Sequence, residues 1–169
     1  MNANLTTGSV PPSDAIQLRI ADAASLASVQ PLWTALYMHQ TAHGMIVSIP
    51  PNGFALWRDG LRPLLNRFAT VWIAEEKGQP VGFLCGRERV LPGYFGGGSV
   101  GFISDVFVAE AHRGRGIGRR LMAAAMDSYR AKNIKRLELQ VVAGNPDARR
   151  LYLELGWRDE LTQMVRLLE

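Results

Sequence analysis

Glycine recurs at every second position of the segment 113–118, which reads Arg-Gly-Arg-Gly-Ile-Gly. A β-branched and aromatic run at 106–108 precedes it and a helix-forming run at 119–126 follows it, so the local order is strand, loop, helix. Since glycine has no side chain, backbone N–H groups can converge in such a loop, and the helix start adds about half a positive charge. These residues predict an anion site that is built from main chain and suited to a pyrophosphate.

Asp105 is an acid inside a largely apolar strand pattern at 101–108. Strand alternation predicts that it shares one face with Ile103 and Phe107. Carboxylates are rarely buried unless they are paired or functional. Two interpretations of Asp105 therefore stay open: a catalytic carboxylate, or a structural acid paired with a neighbouring arginine.

The glycines do not fit the two common nucleotide-binding patterns. No Lys-Ser or Lys-Thr follows them, so the Walker loop is absent. The dinucleotide fingerprint fails because 119–121 contain no further glycine, and because Glu138 lies near the start of its strand rather than at the carboxyl end, where a ribose-binding acid belongs. The segment 113–118 fits Arg/Gln-x-x-Gly-x-Gly/Ala instead, and it resembles the acyl-CoA pyrophosphate loop of the GNAT superfamily of N-acyltransferases.

A second segment supports the same resemblance. Residues 145–157 match the family pattern N-x-x-A-x-x-L-Y-x-x-x-G-F, with Trp157 in place of the usual Phe. The residues in register are Asn145, Ala148, Leu151, Tyr152 and Gly156. The resemblance is specific across 99–157 and topological elsewhere.

The resemblance implies that acetyl-CoA is the acyl donor, and it implies which residues bind it. These residues are Phe107, Val108, Arg113, Gly114, Arg115, Gly116, Ile117, Gly118, Arg119, Asn145 and Tyr152. Asn145 followed by Pro146 is also a helix-capping pattern, and capping by itself would account for that asparagine.

Tyr152 falls on the family position whose hydroxyl points at the coenzyme sulfur and acts as general acid. Packing between Leu151 and Leu153 is the alternative role for this tyrosine. The strand around Asp105 resembles the Glu-Asp-Phe-Phe-Val strand of polyamine and aminoglycoside acetyltransferases, in which the Asp faces the amine. Ser104 stands here in place of the preceding Glu, which weakens the case for a polycationic acceptor.

Together with these residues, the resemblance implies an acetyl-CoA-dependent N-acetyltransferase that works by direct attack in a ternary complex. The expected acceptor is a primary amine, of a small molecule rather than of a protein. Asp105 would deprotonate the amine, directly or through water, Tyr152 would protonate the departing thiolate, and N–H groups at Phe107 and Val108 would support the carbonyl oxygen. The alternative is a non-catalytic acyl-CoA sensor, or a nucleic-acid-binding module, on the same scaffold.

A sheet with helices on both faces is needed to hold these residues. We expect a mixed α/β fold with a central, mostly antiparallel sheet, in the order β-α-α-β-β-β-α-β-α-β that the resemblance implies. Residues 1–14 are expected to be a disordered N-terminal tail, and 15–169 a single N-acetyltransferase domain. Strands are predicted at 16–20, 70–76, 80–90, 100–108 and 136–142, with a last strand or strand pair at 157–168. Helices are predicted at 23–40, interrupted or kinked at Pro31, and at 54–68, 116–131 and 146–155.

Composition and charge indicate the cellular location and the kinds of partner to expect. Cys85 is the only cysteine among 169 residues, and no spacing of Cys and His suits a metal, so we expect no disulfide, no metal and a cytoplasmic location. No apolar run approaches the ~20 residues that span a membrane. The net charge is +4, and eight basic residues lie in 113–136, which contains one acid, Asp127. Half of them surround the glycine loop, so no nucleic acid is expected, and a homodimer is a possible assembly.

Overall fold

The computed structural model describes residues 15–168. The predicted tail at 1–14 lies outside the described residues, as does Glu169. Within the described range the chain forms five strands and four α-helices, with short 3-10 turns between some of them. The strands are β1 (Gln17–Ile20), β2 (Ala69–Glu76), β3 (Gln79–Val90), β4 (Ser99–Val108) and β5 (Arg136–Leu139), and the helices are α1 (Gln30–Ala42), α2 (Gly53–Leu61), α3 (Ile117–Ala131) and α4 (Pro146–Glu154).

The strands form one sheet in the order β1-β2-β3-β4-β5. Neighbouring strands from β1 to β4 are antiparallel, and β5 is parallel to β4 because α3 carries the chain back across the sheet between them. α1 and α2 cover one face of the sheet, and α3 and α4 cover the other. The predicted mixed α/β fold, with a mostly antiparallel sheet between helical layers, is confirmed.

Each face of the sheet has its own apolar layer. Trp33 of α1 and Phe54 of α2 pack over Phe83 of β3 on one face. On the other face, α3 buries a single stripe of side chains, as an amphipathic helix does. The stripe consists of Ile117, Leu121, Met122, Ala125 and Tyr129. The two layers fix the central strands, including β4 with Asp105, from both sides.

A β-bulge interrupts the pairing of β3 with β4. Cys85 pairs with Asp105 and Gly86 pairs with Ile103, which leaves Ser104 as an extra residue in β4. An extra residue shifts side-chain alternation by one position. The prediction that Ile103 lies on the same face as Asp105 is therefore wrong: Ile103 packs with α3, whereas Phe107 and the fully buried Cys85 belong to the layer under α1 and α2.

Prolines divide the two helices that precede β2. The predicted helix at 23–40 begins as a 3-10 turn, Ser25–Val29, and becomes α1 where Pro31 occupies the first helical turn, a position that needs no N–H from it. The predicted helix at 54–68 ends at Leu61, and a 3-10 turn with Pro63 follows. Proline cannot continue the hydrogen-bond ladder, so α2 is shorter than predicted.

The strand predicted at 157–168 does not form, and β5 ends at Leu139 rather than at 142. Trp157 packs against the layer of α3 and α4, but the apolar side chains that follow it are exposed: Leu161 is 90% exposed and Met164 is 91% exposed. Without a paired strand or an apolar surface opposite, the alternating pattern has nothing to pack against.

Candidate active site

β4 and β5 separate after a short parallel ladder. The last pair joins Ile103 to Leu139, whereas β4 continues to Val108. In the described part of the chain no strand pairs with the β5-facing edge of 104–108, and a cleft of about 390 Å³ opens beside it. This volume lies within the range of small-ligand pockets. The cleft is lined by Leu36, His39 and Gln40 of α1, by 103–108, by 112–114 and 116–119, by 139–142 and Asn145, and by Asp147, Ala148, Leu151 and Tyr152 of α4.

The glycine loop opens into this cleft. Gly114 and Gly116 both have φ of +74°, in the left-handed region that favours glycine. Gly116 is the N-cap of α3 and makes no side-chain capping hydrogen bond, and no heavy atom lies within 4 Å of a Cβ built on either glycine. Among the described residues no side chain caps the first N–H groups of α3, and the residues that carry them line the cleft, which fits the predicted anion site.

The arginines of the loop differ in where their charges lie. Arg113 donates from Nε to the carbonyl oxygen of Val108 at 3.1 Å and lines the cleft. Arg115 does not line the cleft, because its guanidinium forms an ion pair with Glu76 at the end of β2. Arg119 lines the cleft and pairs with Glu154 of α4. Arg113 is therefore the loop arginine whose charge no carboxylate neutralises within the described part of the chain.

Asp105 lies in the wall of the cleft and is 3% exposed. Its Oδ2 accepts hydrogen bonds from Ser104 Oγ at 2.6 Å and from Trp57 Nε1 at 3.3 Å, and its Oδ1 accepts one from Tyr37 Oη at 3.2 Å. Burial raises the pKa of the Asp105 carboxyl, and the three donors only partly oppose that. Within residues 15–168 no ion pair holds Asp105, so the interpretation as an arginine-paired acid is wrong.

Tyr37 of α1 and Trp57 of α2 were not identified from the sequence as site residues. Their rings belong to an aromatic group with Trp33, which lies 4.4 Å from Tyr37 and 6.2 Å from Trp57 between ring centroids. In the sequence they resemble ordinary core residues, since only the tertiary fold brings their polar atoms to Asp105. The sequence signal for their role was that a tyrosine and a tryptophan, whose buried O–H and N–H groups need hydrogen-bond partners, lie on two neighbouring helices.

Tyr152 is half-buried on α4, and its ring lies 6.3 Å from that of Trp157. Burial raises the pKa of Tyr152 to about 12, so the hydroxyl keeps its proton at neutral pH. Within the described residues this hydroxyl makes no hydrogen bond, and it lines the same cleft as Asp105. Asn145 Oδ1 accepts from the N–H of Ala148 at 3.1 Å, which confirms its capping role beside the cleft.

The end of α1 touches the loop that leads from β5 to α4. A Cβ on Gly144 would overlap the carbonyl oxygen of His43, so only glycine fits at this contact. His39, one turn earlier, lines the cleft with its ring 6.3 Å from that of Phe107. Burial, with nearby His43, lowers the pKa of His39. The His43–Gly144 contact therefore joins the end of α1 to the loop between β5 and α4.

No helix between residues 15 and 168 is long and apolar enough to cross a membrane.

The chain matches the profile of the Acetyltransferase (GNAT) family over residues 33–157. The mycothiol acetyltransferase of Amycolatopsis mediterranei is 33% identical over 87 residues, which cover 51% of this chain and 29% of that protein. The N-alpha-acetyltransferase 40 of Saccharomyces cerevisiae is 34% identical over 108 residues, which cover 60% of this chain and 34% of that protein. The chain thus spans about a third of the length of these curated relatives.

A solved structure shares the fold over nearly the whole chain. The aminoglycoside N-acetyltransferase AAC(6')-Iy in complex with CoA superposes with a TM-score of 0.74, at 18% identity, over 94% of this chain and 98% of that chain. A glycine-rich loop that leads from a strand into a helix N-terminus is typical of anion-binding α/β proteins. Within that class, the profile match extends over most of the 169 residues, and the chain belongs to the GNAT acetyltransferase family.

Proposed function

We propose that the protein is an acetyl-CoA-dependent N-acetyltransferase that transfers the acetyl group to a primary amine by direct attack in a ternary complex. The observation that carries this proposal is the cleft itself. It has an anion site at the glycine loop, a free strand edge along 104–108, and Asp105 and Tyr152 in its walls. A sensor would need the first two features but neither titratable group.

Acetyl-CoA suits this cleft as the acyl donor. The N–H groups at the start of α3, together with Arg113, would bind the pyrophosphate. The unpaired edge at Phe107 and Val108 would hydrogen-bond an extended amide-bearing arm, as an added strand does. Arg115 would contribute only its backbone, because its side chain is paired with Glu76.

The two proton transfers are assigned to Asp105 and Tyr152. An amine with a pKa near 10.4 is unprotonated in about one molecule in 2,500 at pH 7. Asp105 would take the amine proton directly or through water, and its raised pKa makes it a stronger base than an exposed aspartate. Tyr152 would give its proton to the thiolate, and N–H groups at Phe107 and Val108 would support the carbonyl oxygen.

The acceptor that we propose is the primary amine of a small molecule. The similarity in fold to an aminoglycoside N-acetyltransferase supports a small-molecule acceptor rather than a protein. Nucleic acid is not proposed as a partner, because most of the basic residues in 113–136 are engaged with acids. The pairs are Arg115 with Glu76, Arg119 with Glu154, Arg130 with Asp127, Lys132 with Glu88, and Arg136 with Glu138 and Glu160.

A binding measurement and a turnover measurement test the proposal. Acetyl-CoA at 100 times its Kd should add about 2.7 kcal/mol of stability, or about 5 to 10 °C in Tm. Gly116→Asp should abolish the shift, because the side chain would place a negative charge where phosphate is expected. Released thiol should then be detected with at least one member of a panel of primary amines. An unchanged Tm of the unmodified protein with acetyl-CoA would exclude the proposal.

A further inference from the structure

We propose that the acceptor carries a carboxylate near its amine, and that Arg87 binds this carboxylate with help from Arg89. The inference rests on the proposed function, since it concerns the acceptor side of the same site. It names the substrate class as amino acids or similar amino-carboxylic compounds.

Arg87 lies on the same face of the sheet as Asp105. Cys85 of β3 is directly opposite Asp105, and Arg87 follows Cys85 by two residues on the same strand. Side chains two residues apart in a strand share a face, so Arg87 projects into the layer under α1 and α2. The positive charge of Arg87 also acts to lower the pKa of Asp105 and of Tyr37, which agrees with this placement.

The two arginines have no carboxylate partner in the described part of the chain. Among residues 15–168, no carboxylate lies within 4.0 Å of the guanidinium of Arg87 or of Arg89. The Nε of half-buried Arg87 is itself buried and makes no hydrogen bond there. Arg89 stacks its guanidinium carbon 3.3 Å from the centroid of the Phe102 ring. A buried, unsatisfied N–H on a cation favours an anionic ligand.

The position along β4 places these cations on the acceptor side of Asp105. The glycine loop follows Val108, at one end of the strand, whereas Arg87 pairs with Phe102 toward the other end. Because Ser104 is bulged, Asp105 and Phe102 pair with Cys85 and Arg87, which are two residues apart on β3. At ~3.3 Å per residue, Phe102 therefore lies about 7 Å along the sheet from Asp105, away from the loop. If the acyl donor extends from the glycine loop along β4, the side of Asp105 away from the loop stays available to the acceptor. An amine at Asp105 would therefore bring a carboxylate a few bonds away within reach of Arg87.

The surrounding charges favour the same substrate class. Arg62 and Arg67, which follow α2, also have no carboxylate partner among residues 15–168. Glu88 lies on the opposite face of the sheet and is held by Lys132 at 2.6 Å. The unpaired charges of Arg87 and Arg89 disfavour a polycationic acceptor and favour an anionic one.

Equilibrium binding tests the inference apart from turnover. The protein with CoA would be titrated with L-amino acids of several side-chain sizes, with their carboxamides, and with kanamycin as a polycationic amine. We expect at least one amino acid to bind about tenfold or more tightly than its carboxamide, and Arg87→Gln to remove this preference. Arg87→Lys should keep part of it, and Arg130→Gln, a remote exposed arginine, should leave it unchanged. Melting temperatures of the variants would show that they are folded.

Thiol release with the same compounds distinguishes the two proposals. Carboxylate-selective binding that depends on Arg87, without thiol release from any amine, would exclude the proposed function and support the anion subsite. Thiol release with an acid-to-amide ratio of kcat/KM that is the same in the unmodified protein and in Arg87→Gln would overturn the inference and leave the transferase intact. Absence of any acid preference in binding, or a preference for kanamycin, would also overturn it.

Discussion

Asp105 and Tyr152 are two acidic side chains in one cleft, and they differ in their hydrogen-bond partners. Asp105 is held by donors from Tyr37, Trp57 and Ser104, whereas the Tyr152 hydroxyl has no partner within residues 15–168. Burial raises the pKa of both groups. An aspartate with a raised pKa accepts a proton more readily, and a free phenol can point its proton at a ligand. These are the properties that a base and an acid require.

Tyr152→Phe is predicted to lower kcat by about 100-fold or more, the usual contribution of one positioned proton donor. Acetyl-CoA affinity should change little, because the ring and its packing against Trp157 remain. Tyr94→Phe, which removes the same atom from an exposed ring, serves as the matched control. Steady-state rates under conditions where chemistry limits turnover would give the comparison. Equal rates for Tyr152→Phe and the unmodified protein would assign Tyr152 to packing alone.

Asp105→Asn is predicted to gain stability relative to the unmodified protein as pH rises from 4 to 8. The folded pKa of Asp105 is raised, so its contribution to stability is fully present below the unfolded pKa of ~3.9 and is lost as pH rises through the folded pKa. Asparagine has no charge to desolvate. It can still accept from Trp57 and Ser104 and donate to the Tyr37 oxygen. Urea unfolding of both proteins at several pH values would measure the difference.

The same variant tests the assignment of Asp105 as base. Asp105→Asn should lose activity while it keeps its affinity for acetyl-CoA, and the rising limb of kcat/KM with pH should flatten. The acceptor's own pKa can produce a similar limb, so the mutant profile is the deciding measurement. A folded Asp105→Asn protein with an unchanged pH profile would contradict the general-base role.

At the scale of elements, the sequence predicted the parts of the site that are local in the chain. The strand, glycine loop and helix at 106–126 and the cap at Asn145 follow from short-range patterns of residue type, and both form as expected. The bulge at Ser104 was not predicted, because alternation rules assume an uninterrupted strand. Its position depends on how β3 and β4 pair, which is not encoded by either strand separately.

Long-range contacts account for the remaining differences at this scale. Trp57 reaches Asp105 across 48 positions of the chain, and Tyr37 reaches it across 68. The predicted strand at 157–168 was based on alternation, but β5 pairs over only four residues. Within residues 15–168 no strand pairs with its outer edge. Such contacts depend on the tertiary arrangement, whereas composition and periodicity report only on neighbouring residues.

Gly144→Ala is predicted to destabilise the protein by about 1 to 3 kcal/mol and to weaken acetyl-CoA binding. The added methyl would meet the carbonyl oxygen of His43 and would push the end of α1 away from the β5–α4 loop. Gly60→Ala is the matched control: it lies in α2 with open space around its Cβ, and it should stabilise by about 0.5 to 1 kcal/mol. Thermal unfolding with and without acetyl-CoA would compare them. Equal melting temperatures of the two variants, with and without acetyl-CoA, would show that neither stability nor acetyl-CoA binding depends on the His43–Gly144 contact.

At the scale of the whole molecule, exposed apolar side chains are concentrated in the segment 157–168. Leu161, Met164, Leu167 and Leu168 are all largely exposed, which is unusual for a monomer. Two ion pairs, Arg136 with Glu160 and Arg149 with Asp159, hold the start of this segment against the body. We propose that a second copy of the chain covers these side chains, which is the homodimer considered above.

The combined substitution Leu161→Ser, Met164→Ser and Leu168→Ser is predicted to shift the protein toward the monomer without changing its melting temperature by more than a few degrees. These side chains contribute little to the fold of one chain, because they are exposed in it. Sedimentation velocity over a range of concentrations would measure the mass of both proteins. A monomeric unmodified protein at the highest concentration would contradict the dimer.

The burial of Cys85 beside Asp105 has a practical consequence for assays of the protein. Desolvation raises the pKa of this thiol to about 12, so at pH 8 only about one Cys85 in 10,000 carries the reactive thiolate. A chromogenic disulfide reagent should therefore react with the released thiol product and not with Cys85, so the background absorbance of the assay should be low. Alkylation of Cys85 requires β3 to come away from its neighbours. Because the chain has no other cysteine, the rate of Cys85 labelling would measure how often the central strands unfold locally.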